Sequence, residues 1–281
     1  MLRIRIVTAA VLVPLTLAAL FLLGPRGWGI VSLVVVALAA IEWADLAGYP
    51  QRAWLPFAAG TFLTGFGLLF TRASGFEPQS GWPNTVPLAV CGFATLFWVL
   101  IAPAWLAGNW RVDSKIALAL VGWLVLIATW VAVVQLQARS PWMLLALMAV
   151  VWIADTAAYF AGRAFGARRL APTISPGKTW EGVYGALLAT GIYAVVLTQF
   201  APEAGYAREL SAVAALAWVA VILALTALSI VGDLFESFLK RRRGVKDSGK
   251  LLPGHGGILD RIDALLPAMP AAALFVQYAL R

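Results

Sequence analysis

Long apolar stretches recur along the whole chain, and they constrain its fold more than any other feature. They cover about residues 6–23, 29–47, 53–70, 85–107, 116–136, 142–160, 182–200, 211–231 and 258–280. Each stretch is long enough to cross a hydrocarbon core of roughly 30 Å as a helix. Lipid offers no hydrogen-bond partner to a backbone amide, so spanning segments of this kind must be helical. We therefore predict an all-α polytopic membrane bundle with about nine transmembrane helices.

The composition agrees with one integral membrane domain over residues 1–281. Of these 281 residues, 62% are apolar and 12% are charged, whereas soluble domains are near one quarter charged. We expect residues 1–150 to form N-terminal transmembrane helices and residues 151–281 to form C-terminal helices and cytoplasmic loops. The lone cysteine, Cys91, excludes an intramolecular disulfide and a thiolate metal site. The net charge of +8 does not indicate nucleic acid here, because cations in so apolar a chain more often set topology or meet anionic lipid and phosphate.

The distribution of Lys and Arg predicts the orientation. With nine alternating spans and a cytoplasmic N-terminus, sixteen of the 21 cations lie inside. The other five lie outside, and they are Arg26, Arg72, Arg139, Arg208 and Arg281. This bias predicts a cytoplasmic N-terminus and a C-terminus outside.

Charge is concentrated in residues 232–263, which hold five of the 13 carboxylates, the only histidine and four consecutive cations. If the eighth helix continues past Val231, one polar stripe follows at i, i+3, i+4 and i+7. Its members are Asp233, Glu236, Ser237 and Lys240.

A glycine-rich loop and an acidic helix start follow this stripe. Gly256 and Gly257 adjoin His255, so the backbone there could approach a ligand closely. Asp260 and Asp263 share one face of the ninth helix. Carboxylates facing each other across a cationic loop suggest Mg²⁺, with the remaining ligands taken from substrate phosphates. Phosphoryl or nucleotidyl transfer fits this pattern, and so does cation transport, but the many cations and the position at the helix ends disfavour transport.

A second polar block surrounds the loop after the sixth span. Asp155 lies in that span, where it is either functional or an interfacial aspartate that reaches water. The fragment Gly177-Lys178-Thr179 is not a P-loop, because Pro172 stands where that motif needs glycine. Glu42 and Asp45, at the end of the second span, have a weaker claim to a function than Asp155, and a solvated helix end is the favoured interpretation.

These residues resemble a known family. The run Ser237-x-x-Lys240-Arg241, then Lys246-Asp247-x-Gly249, then Pro253-Gly254-His255-Gly256-Gly257-x-x-Asp260-Arg261-x-Asp263 is similar to the signature of phosphatidate cytidylyltransferases, also called CDP-diacylglycerol synthases. An upstream block is also similar: Ala154-Asp155, Ala158-Tyr159, Phe165-Gly166, Leu170-Ala171-Pro172 and Ser175-Pro176-Gly177-Lys178-Thr179-Trp180.

The resemblance implies that CTP and phosphatidic acid react to give CDP-diacylglycerol and pyrophosphate, in phospholipid biosynthesis. It implies Mg²⁺ on Asp233 and Asp260, with Asp263 and Glu236 as further candidates, K⁺ as a second cation, and a homodimer. The expected location is a bacterial inner membrane, in contact with membrane lipid, with the site facing the cytoplasm. The candidate catalytic residues are Asp233, Asp260, Lys240, Lys246 and Asp247. The candidate substrate-binding residues are Asp155, Ser175, Lys178, Thr179, Ser237, Arg241, His255, Gly256, Gly257 and Arg261.

Two alternatives stay open at this point. A CTP-dependent polyprenol or lipid kinase would transfer a phosphoryl group and release CDP. An ion-coupled transporter of an anionic substrate would move solute across sealed vesicles without turning over CTP.

His255 is not assigned as a base, because a phosphate nucleophile is already ionised at neutral pH. His255 is either a phosphate contact or a structural loop residue.

Overall fold

The computed structural model describes residues 2–77, 80–200 and 211–279, without the side chains of residues 2–5, 200 and 279. Arg208, Arg281 and the side chains of Arg3 and Arg5, which the orientation argument uses, lie outside this description. Eleven α-helices lie in the described part: α1 Leu2–Leu22, α2 Pro25–Leu46, α3 Trp54–Phe70, α4 Thr85–Leu96, α5 Ala102–Gly108, α6 Lys115–Arg139, α7 Pro141–Phe165, α8 Trp180–Phe200, α9 Ala212–Arg243, α10 Leu259–Ile262 and α11 Leu265–Ala279.

The architecture is that of an all-α polytopic membrane protein, as predicted. Among the described residues, seven helical segments are long and apolar enough to cross a membrane. They are Pro25–Leu46, Gln51–Phe70, Thr85–Gly108, Lys115–Arg139, Pro141–Phe165, Trp180–Gln199 and Ala212–Arg243. Two shorter apolar helices, Ile6–Leu22 and Leu265–Tyr278, flank them. The number of nine spans and their orientation therefore stay predictions.

Helix α6 lies at the centre of the bundle and packs against α2, α4 and α11. Its middle is apolar on all sides, and Val125, Leu126 and Val131 are fully buried there. Buried tryptophans place their polar atoms on carbonyls of neighbouring helices, since a buried indole N–H needs an acceptor. Trp43 Nε1 of α2 donates to the Leu118 carbonyl at 2.8 Å. These contacts fix α2 against α6.

The C-terminal half forms a second group of helices, in which α8 packs against both α7 and α9. Helix α9 continues past Val231 to Arg243, as the polar stripe requires, and it ends at Gly244, whose φ is 72°. Left-handed backbone favours glycine at this terminating position. The polar stripe therefore lies in the last turns of α9, after the most apolar part of the helix.

Two local elements differ from the sequence prediction. The segment between α7 and α8 forms an antiparallel hairpin of β1 (Arg169–Ala171) and β2 (Ser175–Thr179). The predicted ninth helix is divided into the short α10 and the longer α11, with Asp263 between them. Asp260 and Asp263 therefore do not lie on one continuous helix, and their carboxylates contact different groups.

Candidate active site

The last turns of α9 carry the predicted polar stripe toward the loop that precedes α10. Ser237 Oγ lies 3.5 Å from Asp233 Oδ1, one turn earlier. Glu236 and Lys240 pair at 2.5 Å across the next turn. Glu236 is 1% exposed, and its Oε1 atom is buried without a hydrogen-bond partner. A buried carboxylate oxygen without a partner can bind a cation or accept a hydrogen bond.

Lys240 joins the stripe to the loop. Its ammonium contacts Asp260 Oδ1 at 2.6 Å as well as Glu236. Only 11% of the Lys240 side chain is exposed. Because two carboxylates flank one buried ammonium, removal of the lysine would leave two buried negative charges close together.

The loop of residues 244–258 is folded around the Asp260 carboxylate. Backbone amides of Ser248 and Gly257 donate to Asp260 Oδ2 at 3.0 Å and 2.8 Å. Burial raises the pKa of Asp260, but the hydrogen bonds from Lys240 and from these amides outweigh it, and the pKa lies below its usual value. Asp260 is therefore held as an anion.

Asp263 has a different environment, in the break between α10 and α11. It is deeply buried, and its Oδ1 accepts from the Ala264 amide at 2.8 Å. Burial, and then the neighbouring charges of Asp233 and Glu236, raise its pKa well above the usual value. Asp263 is therefore repelled by the charges of Asp233 and Glu236.

The hairpin brings the second block to the same place. Lys178 on β2 pairs with Asp233 Oδ2 at 2.5 Å. Arg241 Nε donates to the Ile174 carbonyl at 3.2 Å and ties the hairpin to the end of α9. Asp155 on α7 lines the same cavity as Asp233 and Lys178. The two blocks that the sequence separates are therefore adjacent in space.

Two cavities open on this region. The first has a volume of about 630 Å³ and is lined by the cations Lys246, Lys250 and Arg261, together with His255. The second, of about 330 Å³, lies between α7, α8 and α9. Its polar lining residues are Asp155, Tyr159, Arg163, Arg169, Lys178, Thr179 and Asp233, and its apolar ones include Leu170, Val183 and Ile230. A cationic cavity suits a polyphosphate, and a mixed polar and apolar one suits a lipid head-group.

The carboxylates have the donor chemistry that Mg²⁺ needs, although they do not form a complete cage. Within the described residues, no group of three or more His, Cys, Asp or Glu side chains is close enough to enclose a metal ion. Mg²⁺ commonly takes one or two protein carboxylates and completes its shell with phosphates and water. Asp233 pairs with the ammonium of Lys178, and Asp260 pairs with that of Lys240. Each of the two carboxylates is therefore in a position to bind a positively charged partner. These carboxylates would fit an ion that takes its remaining ligands from phosphate and water.

Several predicted site residues have structural contacts. Thr179 is buried, and its Oγ1 accepts from the Gly182 amide at 3.1 Å at the start of α8. Arg261 donates from Nη2 to the His255 carbonyl at 2.7 Å. His255 Nδ1 is buried without a partner.

The other predicted site residues lie in the hairpin or along the first cavity. Ser175 pairs with Ala171 at the hairpin end. Lys246, Asp247 and Gly256 line the first cavity, with Gly256 at a φ of 84°. The roles assigned to all these residues stay predictions.

Glu42 is the residue that the sequence interpretation missed. It is 4% exposed, so the prediction of a solvated helix end is wrong for it. The loop that precedes α10 covers its carboxylate. Asp45, one turn later, lies at the surface and pairs with Arg243 at 3.0 Å. A glutamate within an apolar span, without a cation one turn away, is the signal that could have identified it.

Comparison with known proteins decides the family. The model of the cytidylyltransferase family matches residues 3–279. The chain belongs to the cytidylyltransferase family. Among relatives of this cytidylyltransferase, the phosphatidate cytidylyltransferase of Pseudomonas aeruginosa is 39% identical over 278 residues, which cover 97% of this chain and 96% of that protein. The phosphatidate cytidylyltransferase of Haemophilus influenzae is 34% identical, with all of both chains covered.

The geometry of this cytidylyltransferase suits chemistry between two anions. Lys240 of α9 and Lys178 of the hairpin pair with Asp260 and Asp233, and the cations of the glycine-rich loop line the adjoining cavity. Such a site can neutralise and orient phosphates, which is the main contribution of proteins to phosphoryl and nucleotidyl transfer.

Proposed function

We propose that this protein is a phosphatidate cytidylyltransferase, which makes CDP-diacylglycerol and pyrophosphate from CTP and phosphatidic acid. The observation that carries the proposal is the joining of the two polar blocks by Lys178 and Asp233, in a chain that matches phosphatidate cytidylyltransferases over nearly its full length. In the reaction, a phosphate oxygen of phosphatidic acid attacks the α-phosphorus of CTP. The bond to the β-phosphate breaks, and pyrophosphate leaves.

Asp233 and Asp260 would hold Mg²⁺, and Glu236 and Asp263 are further candidates, with K⁺ as a second cation. When bound, Mg²⁺ supplies charge that neutralises the reacting phosphates. Lys246, Arg261 and the other cations of the first cavity would bind the triphosphate, because they line a space large enough for it. No strong base is needed, since the attacking phosphate is already ionised.

The second cavity would receive the phosphatidate head-group. It lies between membrane-spanning helices and has an apolar side formed by Leu170, Val183 and Ile230. Acyl chains could therefore stay in the leaflet while the phosphate reaches Lys178 and Asp233. We place this site on the cytoplasmic side of a bacterial inner membrane. The site lies on the side that is rich in Lys and Arg, which the positive-inside rule assigns to the cytoplasm, and CTP is cytosolic. We also propose a homodimer, on the family resemblance.

An assay of the purified protein with CTP, phosphatidic acid and Mg²⁺ tests the proposal. The expected products are pyrophosphate and a CDP-lipid in equal amounts. Conversion of CTP to CDP with formation of a phosphorylated lipid, when a polyprenol replaces phosphatidic acid, would indicate a lipid kinase instead. Solute flux across sealed vesicles without CTP turnover would indicate a transporter. Either outcome would overturn the proposal.

A further inference from the structure

Glu42 lies far from the candidate site in sequence but contacts the loop that forms it. Glu42 Oε1 accepts from the Ile258 amide at 3.0 Å, and Oε2 accepts from the Leu259 amide at 2.8 Å. Ser248 Oγ donates to Oε2 at 2.9 Å. Both carboxylate oxygens are therefore occupied, by three donors from a segment more than 200 residues away.

These contacts lead directly to Asp260. Ser248 Oγ, which donates to Glu42, accepts from the Asp260 amide at 3.3 Å. The Ser248 amide donates to the Asp260 carboxylate at 3.0 Å. Leu259, held by Glu42, is the residue before Asp260. Glu42 thus fixes both the backbone that carries Asp260 and the serine that orients its carboxylate.

The loop is also shaped to admit the Glu42 carboxylate. A Cβ atom added to Gly249 or Gly257 would collide with the side chain of Glu42. Only residues without side chains leave room at those two positions. Among the described residues, no lysine, arginine or histidine forms an ion pair with Glu42. Hydrogen bonds from the loop satisfy the Glu42 carboxylate instead. Hydrogen bonds to a buried carboxylate fix the positions of the groups that donate them.

We infer that Glu42 is a positioning residue for the transfer reaction: it holds the glycine-rich loop so that the Asp260 carboxylate faces Lys240 and would be in place to hold Mg²⁺. The inference rests on the proposed function for its catalytic part and on the Glu42 contacts for its structural part. A carboxamide in place of the carboxylate has one accepting oxygen and an NH₂ group that faces donors. At least one loop donor would then be left unpaired in a buried place.

The test compares Glu42→Gln with Asp45→Asn, a matched control on the same helix whose carboxylate contacts Arg243 rather than the loop. The first measurement is amide hydrogen exchange over residues 248–260, in detergent and without Mg²⁺ or substrates. We expect exchange of the Ile258 and Leu259 amides to be about ten times faster in Glu42→Gln and unchanged in Asp45→Asn. Wild-type exchange in Glu42→Gln would overturn the inference, whatever its activity.

The second measurement separates kcat from KM. A catalytic group displaced by about 1 Å can lose about 100-fold in rate. We expect a kcat loss of that order in Glu42→Gln, with the KM for CTP changed less than about threefold. The reason is that Glu42 holds the loop backbone and, among the described residues, forms no ion pair with Lys178 or Lys246. Faster exchange with an unchanged kcat would limit Glu42 to a structural role and overturn the catalytic part.

Ser248→Ala provides a second route if Glu42→Gln fails to fold. It removes only the hydroxyl that links Glu42 to Asp260, and we expect smaller changes of exchange and kcat in the same directions. Wild-type behaviour of this variant would then overturn the inference. If the wild-type protein itself does not turn over CTP with phosphatidate, the proposed function fails, and the exchange comparison alone decides whether Glu42 holds the loop.

Discussion

The ammonium of Lys178 lies 2.5 Å from the Oδ2 atom of Asp233 and joins a hairpin to a helix that begins more than 30 residues later. This ion pair brings the cation-rich block after α7 to the carboxylates of α9. Lys178 also lines the cavity between α7, α8 and α9. Under the proposed function, its ammonium would move from the aspartate to a phosphate when substrate binds.

Replacement of Lys178 by alanine should therefore impair substrate use. We expect kcat/KM for phosphatidate and CTP to fall about 100-fold, because loss of one charged donor at a reacting phosphate costs about 3 kcal/mol. Lys115→Ala, at an exposed lysine that begins α6, is the matched control and should retain activity. Steady-state kinetics of the two purified variants measure the difference. Equal kcat/KM values would remove Lys178 from the site.

The two aspartates proposed as metal ligands should be indispensable. Asp233→Asn and Asp260→Asn keep side-chain size but remove the charge that Mg²⁺ requires. We expect CTP-dependent pyrophosphate release to fall below detection in each variant, while both proteins insert and purify normally. Asp113→Asn, at an exposed aspartate paired with Arg242, should be active. Near-normal turnover of both site variants at saturating Mg²⁺ would contradict the metal assignment.

The order of side chains along one helix could be predicted from the sequence, but contacts between distant segments could not. The spacing of Asp233, Glu236 and Lys240 requires one helical face, and α9 provides it. Their partners depend on how loops fold. Lys178 reaches Asp233 because a hairpin forms between α7 and α8, and no periodic pattern indicated those strands. The sequence pattern also gave no indication that the last predicted helix divides at Asp263 into α10 and α11.

Glu42 shows why burial is harder to predict than membrane depth. Its neighbours in sequence are those of an ordinary helix end, next to Trp43 and Asp45. It is buried because residues 248–259, from the opposite end of the chain, fold over it. A prediction based on local sequence had no access to that contact.

The close approach of the loop to Glu42 makes Gly257 sensitive to substitution. A Cβ there would collide with Ser248 Oγ and with the Glu42 carboxylate, and the Gly257 amide donates to Asp260. We expect Gly257→Ala to lower kcat about 100-fold through displacement of Asp260. Gly60→Ala, in α3 with no atom within 4 Å of the added Cβ, is the control. The comparison uses initial rates at saturating substrates, and an active Gly257→Ala protein would show that the loop can move aside.

The aromatic cluster around Phe235 should stabilise α9 in the position that the site requires. Phe235 is fully buried, and its ring meets Phe97, Trp98 and Trp105 edge-on at centroid distances of 5.6, 5.5 and 5.4 Å. Phe235→Ala would leave a cavity between α9 and the segment that joins α4 to α5. Because packing rather than water exclusion holds helices together in a bilayer, the lost contacts should cost about 3 kcal/mol.

Denaturation of Phe235→Ala in mixed detergent measures this loss of stability. The control is Phe93→Ala, since Phe93 is 67% exposed on α4 and should contribute little to helix packing. Phe235 also lies between Asp233 and Glu236 in sequence, so a looser helix should shift both carboxylates. We therefore expect the activity of Phe235→Ala to fall at temperatures at which the variant is still folded. Equal stability of the two alanine variants would show that neighbouring side chains fill the cavity.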